Sequence, residues 1–290
     1  MRHESVWTDL RGVEFRQRWV DAGGISTRVL EAGSPELPAL VFIHGTGGHA
    51  EAYTRNLGPH SRHFHTYSID MVGHGFSGKP DSSYDFKDYV EHLVAFMDAE
   101  GLETISVSGE SMGAGIAAWF ALLHPERVDR IVLNTGAALR LPDEVIKNMA
   151  ALTMAAVENA TEDSVRSRLE WLMHDTGDVT DDLVATRLAI YRDPEYVARM
   201  TNILKRHTDP DGQDRNCLVE RDWKKISAPV LVLWTDHDPT APPEVGKQVA
   251  SWLPNGRYAQ IDGAGHWPQF EKADEFNDIH LGFLLEGRGV

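Results

Sequence analysis

Three short stretches of the chain carry side chains that could cooperate in one reaction. Gly109-Glu110-Ser111-Met112-Gly113 has the spacing G-x-S-x-G. In that pattern a strand turns sharply into a helix and pushes the serine hydroxyl out of the backbone, with glycines where a side chain would clash. A serine hydroxyl is a weak nucleophile at neutral pH and needs a base. His266, in Gly263-Ala264-Gly265-His266, is the expected base, and the order serine, acid, histidine puts the acid between the two. Asp236 and Asp238 both follow the apolar run 230–234. The spacing after that run selects Asp238, with Asp236 as its rival and otherwise a turn residue. Charge building on the substrate oxygen needs two backbone N–H donors. Met112 supplies one, and Thr46, in His44-Gly45-Thr46, the other. His44 is expected to hold that loop by hydrogen bonds and not to react.

These groups must be positioned by a scaffold, and the surrounding pattern supplies one. Apolar runs at 39–43, 66–71, 104–108, 131–134, 229–234 and 257–261 read as strands. Residues 86–100, the segment after Gly113 up to His124, and 274–285 read as helices. Continuous apolar strands alternating with helices imply a mostly parallel sheet covered on both faces, an α/β fold. Chemistry in such sheets gathers at the carboxyl ends of the strands, where all three stretches fall. From about 141 to 206 the pattern is helical and charged. The expected division is a core of residues 1–138 and 222–290, with a helical lid inserted at 139–221. Trp171, Met173, Leu183, Leu188 and Tyr191 in the insertion read first as helix interiors and second as a pocket wall.

The chain has 290 residues, 42% hydrophobic and 25% charged, which suits one α/β core with an insertion. A net charge of -16 repels phosphate backbones and anionic lipid, so neither nucleic acid nor a membrane is an expected partner. The single cysteine, Cys217, excludes an intrachain disulfide and suits the cytoplasm, the expected location. No apolar stretch follows Met1-Arg2-His3-Glu4-Ser5-Val6-Trp7, so no secretory signal is expected. His60, His63 and His65 lack accompanying acidic or cysteine ligands at metal spacing, so no metal is expected. The glycines at 45–48 are not followed by Gly-Lys-Ser/Thr, and no G-x-G-x-x-G follows the first strand, so no cofactor is expected. The partner is then a small-molecule substrate; a homo-oligomer stays open.

The set His44-Gly45, Asp70-x-x-Gly73-x-Gly75-x-Ser77, the 109–113 turn, Asp238 and Gly265-His266 resembles the α/β-hydrolase superfamily over nearly the whole chain outside the insertion. A narrower likeness, at Gly265-His266-Trp267-Pro268-Gln269-Phe270-Glu271 and Ala273-Asp274-Glu275-Phe276-Asn277, is to the meta-cleavage product hydrolases. Those enzymes hydrolyse a carbon–carbon bond of 2-hydroxy-6-oxo-dienoates formed by ring cleavage of catechols. The resemblance implies that Arg187 binds the substrate carboxylate, that Trp267 packs against the substrate, and that Gly45 lies beside it. Taken alone, Arg187 is a solvated helix charge. Two features depart from that family. Glu110 stands where asparagine usually precedes the nucleophile, and the loop Gly47-Gly48-His49-Ala50-Glu51-Ala52 is shorter, with Ala52 near a substrate-contacting asparagine position.

Three functions compete. The first is carbon–carbon hydrolysis of a dienoate in aromatic degradation. The second is a carboxylic-ester hydrolase with the same triad, acting on an ester of an aromatic acid such as a mono-ester of a diacid. The third, a non-catalytic ligand-binding relative, calls for a damaged triad, whereas all three members are present. Gly-His-Trp favours the first; Glu110 and the short loop favour the second. A carboxylate beside the serine would repel an anionic substrate, so Glu110 is expected to point away from the pocket into a hydrogen-bonded buttress.

Overall fold

The structure, a computed structural model, describes residues 5–287. Residues 1–4, on which part of the expectation about a secretory signal rests, lie outside them. Eight strands form one sheet: β1 Phe15–Ala22, β2 Ile25–Ala32, β3 Ala39–Ile43, β4 His65–Ile69, β5 Ile105–Glu110, β6 Val128–Asn134, β7 Val230–Thr235 and β8 Gly256–Ile261. Their order across the sheet is β1-β2-β4-β3-β5-β6-β7-β8. From β4 to β8 every pairing is parallel, and β1 and β2 join antiparallel at one edge. β3, β4, β5 and β7 are buried at every residue, which the apolar runs of β3 and β7 require and which also encloses His65 of β4 and Glu110 of β5.

The edge hairpin β1–β2 is absent from the sequence reading. Arg16, Gln17 and Arg18 interrupt its apolar pattern, and β1 is largely exposed. One signal was there. Gly23 and Gly24 both take positive φ, 65° and 87°, the backbone that a two-residue hairpin turn demands.

β4 lies on one side of β3 and β5, the next strand in the chain, on the other, so the strand order reverses at β3. A crevice opens above the carboxyl ends of β3 and β5 at such a reversal. Between β6 and β7 the chain runs through helices, the longer ones being Asp143–Glu158, Glu162–Leu172, Asp181–Tyr191 and Pro194–Thr208. They contribute Leu169, Leu183, Met200 and Ile203 to the same buried cluster as the sheet. No helix among the described residues is long and apolar enough to cross a membrane.

Candidate active site

Ser111 stands at the tip of β5, before the helix Met112–Leu123, with φ 55° and ψ -111°. Its N–H donates to Asn134 O at 3.0 Å, which fastens the turn to β6. Packing around it leaves no space for side chains. A Cβ on Gly109 would lie 2.0 Å from Gly113 O, one on Gly113 2.2 Å from Ile43 O, and one on Gly136 2.5 Å from Ser111 Cα. Two of these glycines belong to the five-residue pattern; Gly136, beyond β6, does not.

His266 follows β8, and its Nδ1 lies 2.9 Å from Asp238 Oδ1. The same oxygen accepts from Thr240 N at 2.8 Å and Thr240 Oγ1 at 2.7 Å, which fixes the carboxylate. Asp236 is turned elsewhere, its Oδ1 accepting from Gly263 N at 2.8 Å. Of the two aspartates, Asp238 alone among the described contacts meets the histidine.

The helical segment closes directly on this loop. His266 N–H donates to Leu172 O at 2.6 Å, and a Cβ on Gly265 would lie 2.5 Å from that oxygen. Glu271 clamps the junction, accepting from His174 N at 2.6 Å on one oxygen and from Gly265 N at 2.9 Å on the other.

Glu110 does not point away from the pocket. Its Oε2 accepts from Gly45 N at 2.6 Å, and its Oε1 lies 3.3 Å from His266 Nε2. It is buried and lines one cavity with Ser111 and His266. The expected buttress bond exists, but it keeps the carboxylate at the cavity, because its donor residue Gly45 lines the same space. Burial pushes the Glu110 carboxyl above its usual range, against the lowering pull of His266 and the Gly45 N–H. Burial alone would depress His266; Asp238 and Glu110 outweigh it and hold the imidazole above its usual value.

Thr46 and Met112 both border Ser111, Met112 at the first turn of its helix, where backbone N–H groups lack intrahelical acceptors. Thr46 is held from behind, its Oγ1 accepting from Arg206 Nη2 at 2.6 Å. His44 is fully buried, with Nδ1 2.8 Å from Gly45 O and Nε2 accepting from Met71 N at 3.1 Å. It thereby ties the β3 loop to the β4 loop. His60 and His65 also have separate partners, Asn56 and His280 for one and Glu31 for the other.

Ser111 opens onto two spaces. The smaller, about 310 Å³, is bounded by Gly45, Glu110, Arg168, Trp171, His266 and Trp267. The larger, about 740 Å³, shares Ser111, Thr46, Met149 and Thr240 and continues past Leu141 and Ile146 to Arg206. Of the five insertion residues read as helix interior or wall, Trp171 lines the smaller cavity. Met173, Leu183, Leu188 and Tyr191 are buried in the core.

Arg187 is not solvated. It is 1% exposed, with its guanidinium carbon 5.0 Å from the centroid of the Trp267 ring, and its Nε and Nη2 meet no protein acceptor. Arg168 is also buried and bounds the smaller cavity, and its Nη1 is likewise unpartnered. Burial lowers the Arg168 pKa to about 10. Arg168, Arg206, Thr240 and Glu271 were missed in the sequence. A signal existed for Arg168, which interrupts the apolar stripe Val165, Leu169, Leu172 at helical spacing.

Residues 38–273 match the family described as alpha/beta hydrolase fold, and the chain belongs to that family. Over 291 residues it is 30% identical to a 2-hydroxy-6-oxononadienedioate/2-hydroxy-6-oxononatrienedioate hydrolase of Paraburkholderia phymatum, covering 94% of this chain and 92% of that protein. Over 272 residues it is 28% identical to a 2-hydroxymuconate semialdehyde hydrolase of Pseudomonas putida, covering 93% and 94%. Its fold is similar to that of 2-hydroxy-6-oxo-6-phenylhexa-2,4-dienoate hydrolase from Rhodococcus sp. strain RHA1, with a TM-score of 0.82 over 94% of this chain and 99% of that one, at 21% identity.

Proposed function

We propose that this chain is a serine hydrolase that cleaves the carbon–carbon bond of a 2-hydroxy-6-oxo-dienoate. The observation that carries the reading is a pair of buried arginines with unpartnered nitrogens, Arg168 on the wall of the Ser111 cavity and Arg187 against Trp267, another residue of that wall. A buried cation without a carboxylate is costly, and an anionic substrate offsets that cost. The relatives named above act on dienoates and related acids, which bear a carboxylate. Helices from 139–221 serve as the lid that brings Arg168 and Arg187 over the sheet.

In this reading the substrate carboxylate faces Arg187, and its planar chain packs on Trp267. The dienol first becomes the keto form, because a dienolate can leave only once the carbon at position 5 is saturated. Ser111 Oγ then attacks the ketone carbon while His266 Nε2 takes its proton. Asp238 holds the imidazole, and the N–H groups of Thr46 and Met112 hold the oxyanion. Collapse expels the dienolate, and water cleaves the acyl-serine by the same steps.

The test sets purified enzyme against 2-hydroxy-6-oxo-6-phenylhexa-2,4-dienoate and a mono-ester of an aromatic diacid. Loss of dienoate colour with release of benzoate is expected. Efficient ester cleavage with an untouched dienoate would assign the same triad to an esterase.

A further inference from the structure

Glu110 is the acidic group of the cavity that the steps above leave unused. Its two oxygens are engaged differently, Oε2 by the Gly45 N–H at 2.6 Å and Oε1 by His266 Nε2 at 3.3 Å. The loop is shaped around it. A Cβ on Gly45 would lie 2.7 and 2.8 Å from the two carboxylate oxygens, so any side chain there would push Glu110 from this seat.

A carboxylate oxygen and an unprotonated imidazole nitrogen are both acceptors, and two acceptors at that distance repel unless one proton lies between them. Asp238 already takes the hydrogen on Nδ1. The row Asp238, His266, Glu110 therefore stores a proton that an ordinary triad lacks. The charged and titratable groups around it are Arg187, Arg168 and Tyr53. The two arginines favour an anionic guest, and the guest can in turn draw the stored proton.

We infer that Glu110 donates the proton that converts the bound dienolate to its keto form. The inference rests on the carbon–carbon reading above. The substrate binds as the dienolate, with its carboxylate at Arg187. The Glu110 O–H bond breaks and a C–H bond forms at carbon 5. The electron pair for that bond comes through the conjugated chain, as the 2-oxido group becomes a ketone and the double bond moves to carbons 3 and 4. Glu110 is left as a carboxylate, and His266 Nε2 is left with a free lone pair, ready to take the Ser111 proton. After cleavage the imidazolium protonates the departing dienolate at its 2-oxygen, and His266 then serves the attacking water. The carboxylic acid released from the acyl-serine ionises, and its proton returns to Glu110. One dianion and one water give two monoanions, so charge and protons balance over the cycle.

An ester needs no ketonisation, and this separates the role from a structural one. Wild type and Glu110→Gln are compared by rapid mixing with 2-hydroxy-6-oxo-6-phenylhexa-2,4-dienoate and by steady-state hydrolysis of 4-nitrophenyl butyrate. Glutamine still accepts from Gly45 N but has no acidic proton. We expect decay of the dienolate colour to slow by about 10²-fold or more, as for a lost general acid. Ester kcat/KM should fall by much less than the dienolate decay, since His266 keeps Asp238 and loses only the carboxylate beside Nε2. Glu110→Asp should recover part of the dienolate decay, and serves as the reporter if the glutamine variant does not fold. Unchanged dienolate decay, or equal losses on both substrates, overturns the donor role and leaves Glu110 a support for the loop. A wild type that cleaves the ester and ignores the dienoate overturns the carbon–carbon reading itself, and this role with it.

Discussion

Arg187 places its guanidinium carbon 5.0 Å from the centroid of the Trp267 ring, while Trp267 walls the cavity of Ser111 and His266. The ring holds the cation without neutralising it, because a ring face attracts charge but offers no proton acceptor. Arg187→Ala should therefore weaken binding of acidic substrates by about 1.5–3 kcal/mol, a loss of one charge-assisted bond. In steady-state assays that is a rise in KM of about 10- to 150-fold for a dienoate. A neutral ester should change by less than about twofold. Equal losses on both substrates would make Arg187 a structural part of the helical segment.

The strained turn at Ser111 leads to a second expectation. With φ at 55°, the residue is held by Asn134 O and by glycines at 109, 113 and 136 rather than by its own side chain. Ser111→Ala should keep the fold, seen as an unchanged circular-dichroism spectrum and melting temperature. Turnover should fall on the order of 10³-fold or more, since no other hydroxyl is presented by that turn. A folded variant with near-normal turnover would move the nucleophile elsewhere.

Asp236 and Asp238 differ by two residues and by everything that matters to His266. Asp238→Asn puts an amide at 2.9 Å from Nδ1 and favours the wrong tautomer, which should cost kcat far more than KM. The expected loss is about 10³- to 10⁴-fold. Asp236→Asn keeps an oxygen to accept from Gly263 N, loses only the charge beside His237, and should cost less than about threefold. Reversed effects would transfer the acid role to Asp236.

What the sequence disclosed about this site follows from how local each feature is. The turn at Ser111, its flanking strand and the helix after it are encoded within the nineteen adjacent residues 105–123, so their pattern survives without the rest of the fold. The direction of the Glu110 side chain is not local, because it depends on where β3 leaves the Gly45 N–H. Charge repulsion argued for an outward carboxylate, but a nearby backbone donor and an imidazole decided otherwise. The buried arginines show a subtler limit. Arg168 and Arg187 occupy apolar stripe positions, the latter among Leu183, Val184, Leu188 and Tyr191. That placement marks a buried cation, yet the stripe cannot say what the cation faces.

Arg168 illustrates the exchange of stability for binding that such a position implies. Its pKa is pushed down to about 10 by burial, and its recorded side-chain bond is from Nε to Thr153 Oγ1 at 3.2 Å. Arg168→Met keeps much of the volume and removes the desolvated charge. It should raise stability by about 1 kcal/mol, read as a melting temperature some 2 °C higher. It should also lower kcat/KM for a dienoate by about tenfold or more. A lower melting temperature would show that Thr153 and the surroundings satisfy the charge already.

Acid should unfold the protein in a window set by its buried histidines. His44, His60 and His92 are buried, and burial lowers each to a pKa of about 4. Each ring uses one nitrogen as an acceptor. Nε2 of His44 accepts from Met71 N, Nδ1 of His92 accepts from Val72 N, and Nε2 of His60 faces Nδ1 of His280. A proton on that nitrogen would break the bond and bury a charge. In the unfolded chain the same rings titrate near 6.5. A lowered folded pKa means stability that is complete above the unfolded value and is lost as pH falls toward the folded one. Each ring then contributes about 3 kcal/mol that disappears between roughly pH 6.5 and 4. The carboxylates act later. Glu31, held near 2 by Arg16, Arg18 and His65 against the opposing effect of burial, loses its contribution only below about pH 4.5. Urea midpoints measured at constant ionic strength should therefore decline steeply from pH 6.5 to 4, these rings taking up protons on unfolding together with His74, His207 and His280, which burial also holds well below 6.5. His92→Gln should remove one of them, reducing the slope by about 1.4 kcal/mol per pH unit. A midpoint that stays level across that range would mean that these rings are already protonated in the folded state, and that the loop ties from His44 to Gly45 and Met71 survive the charge.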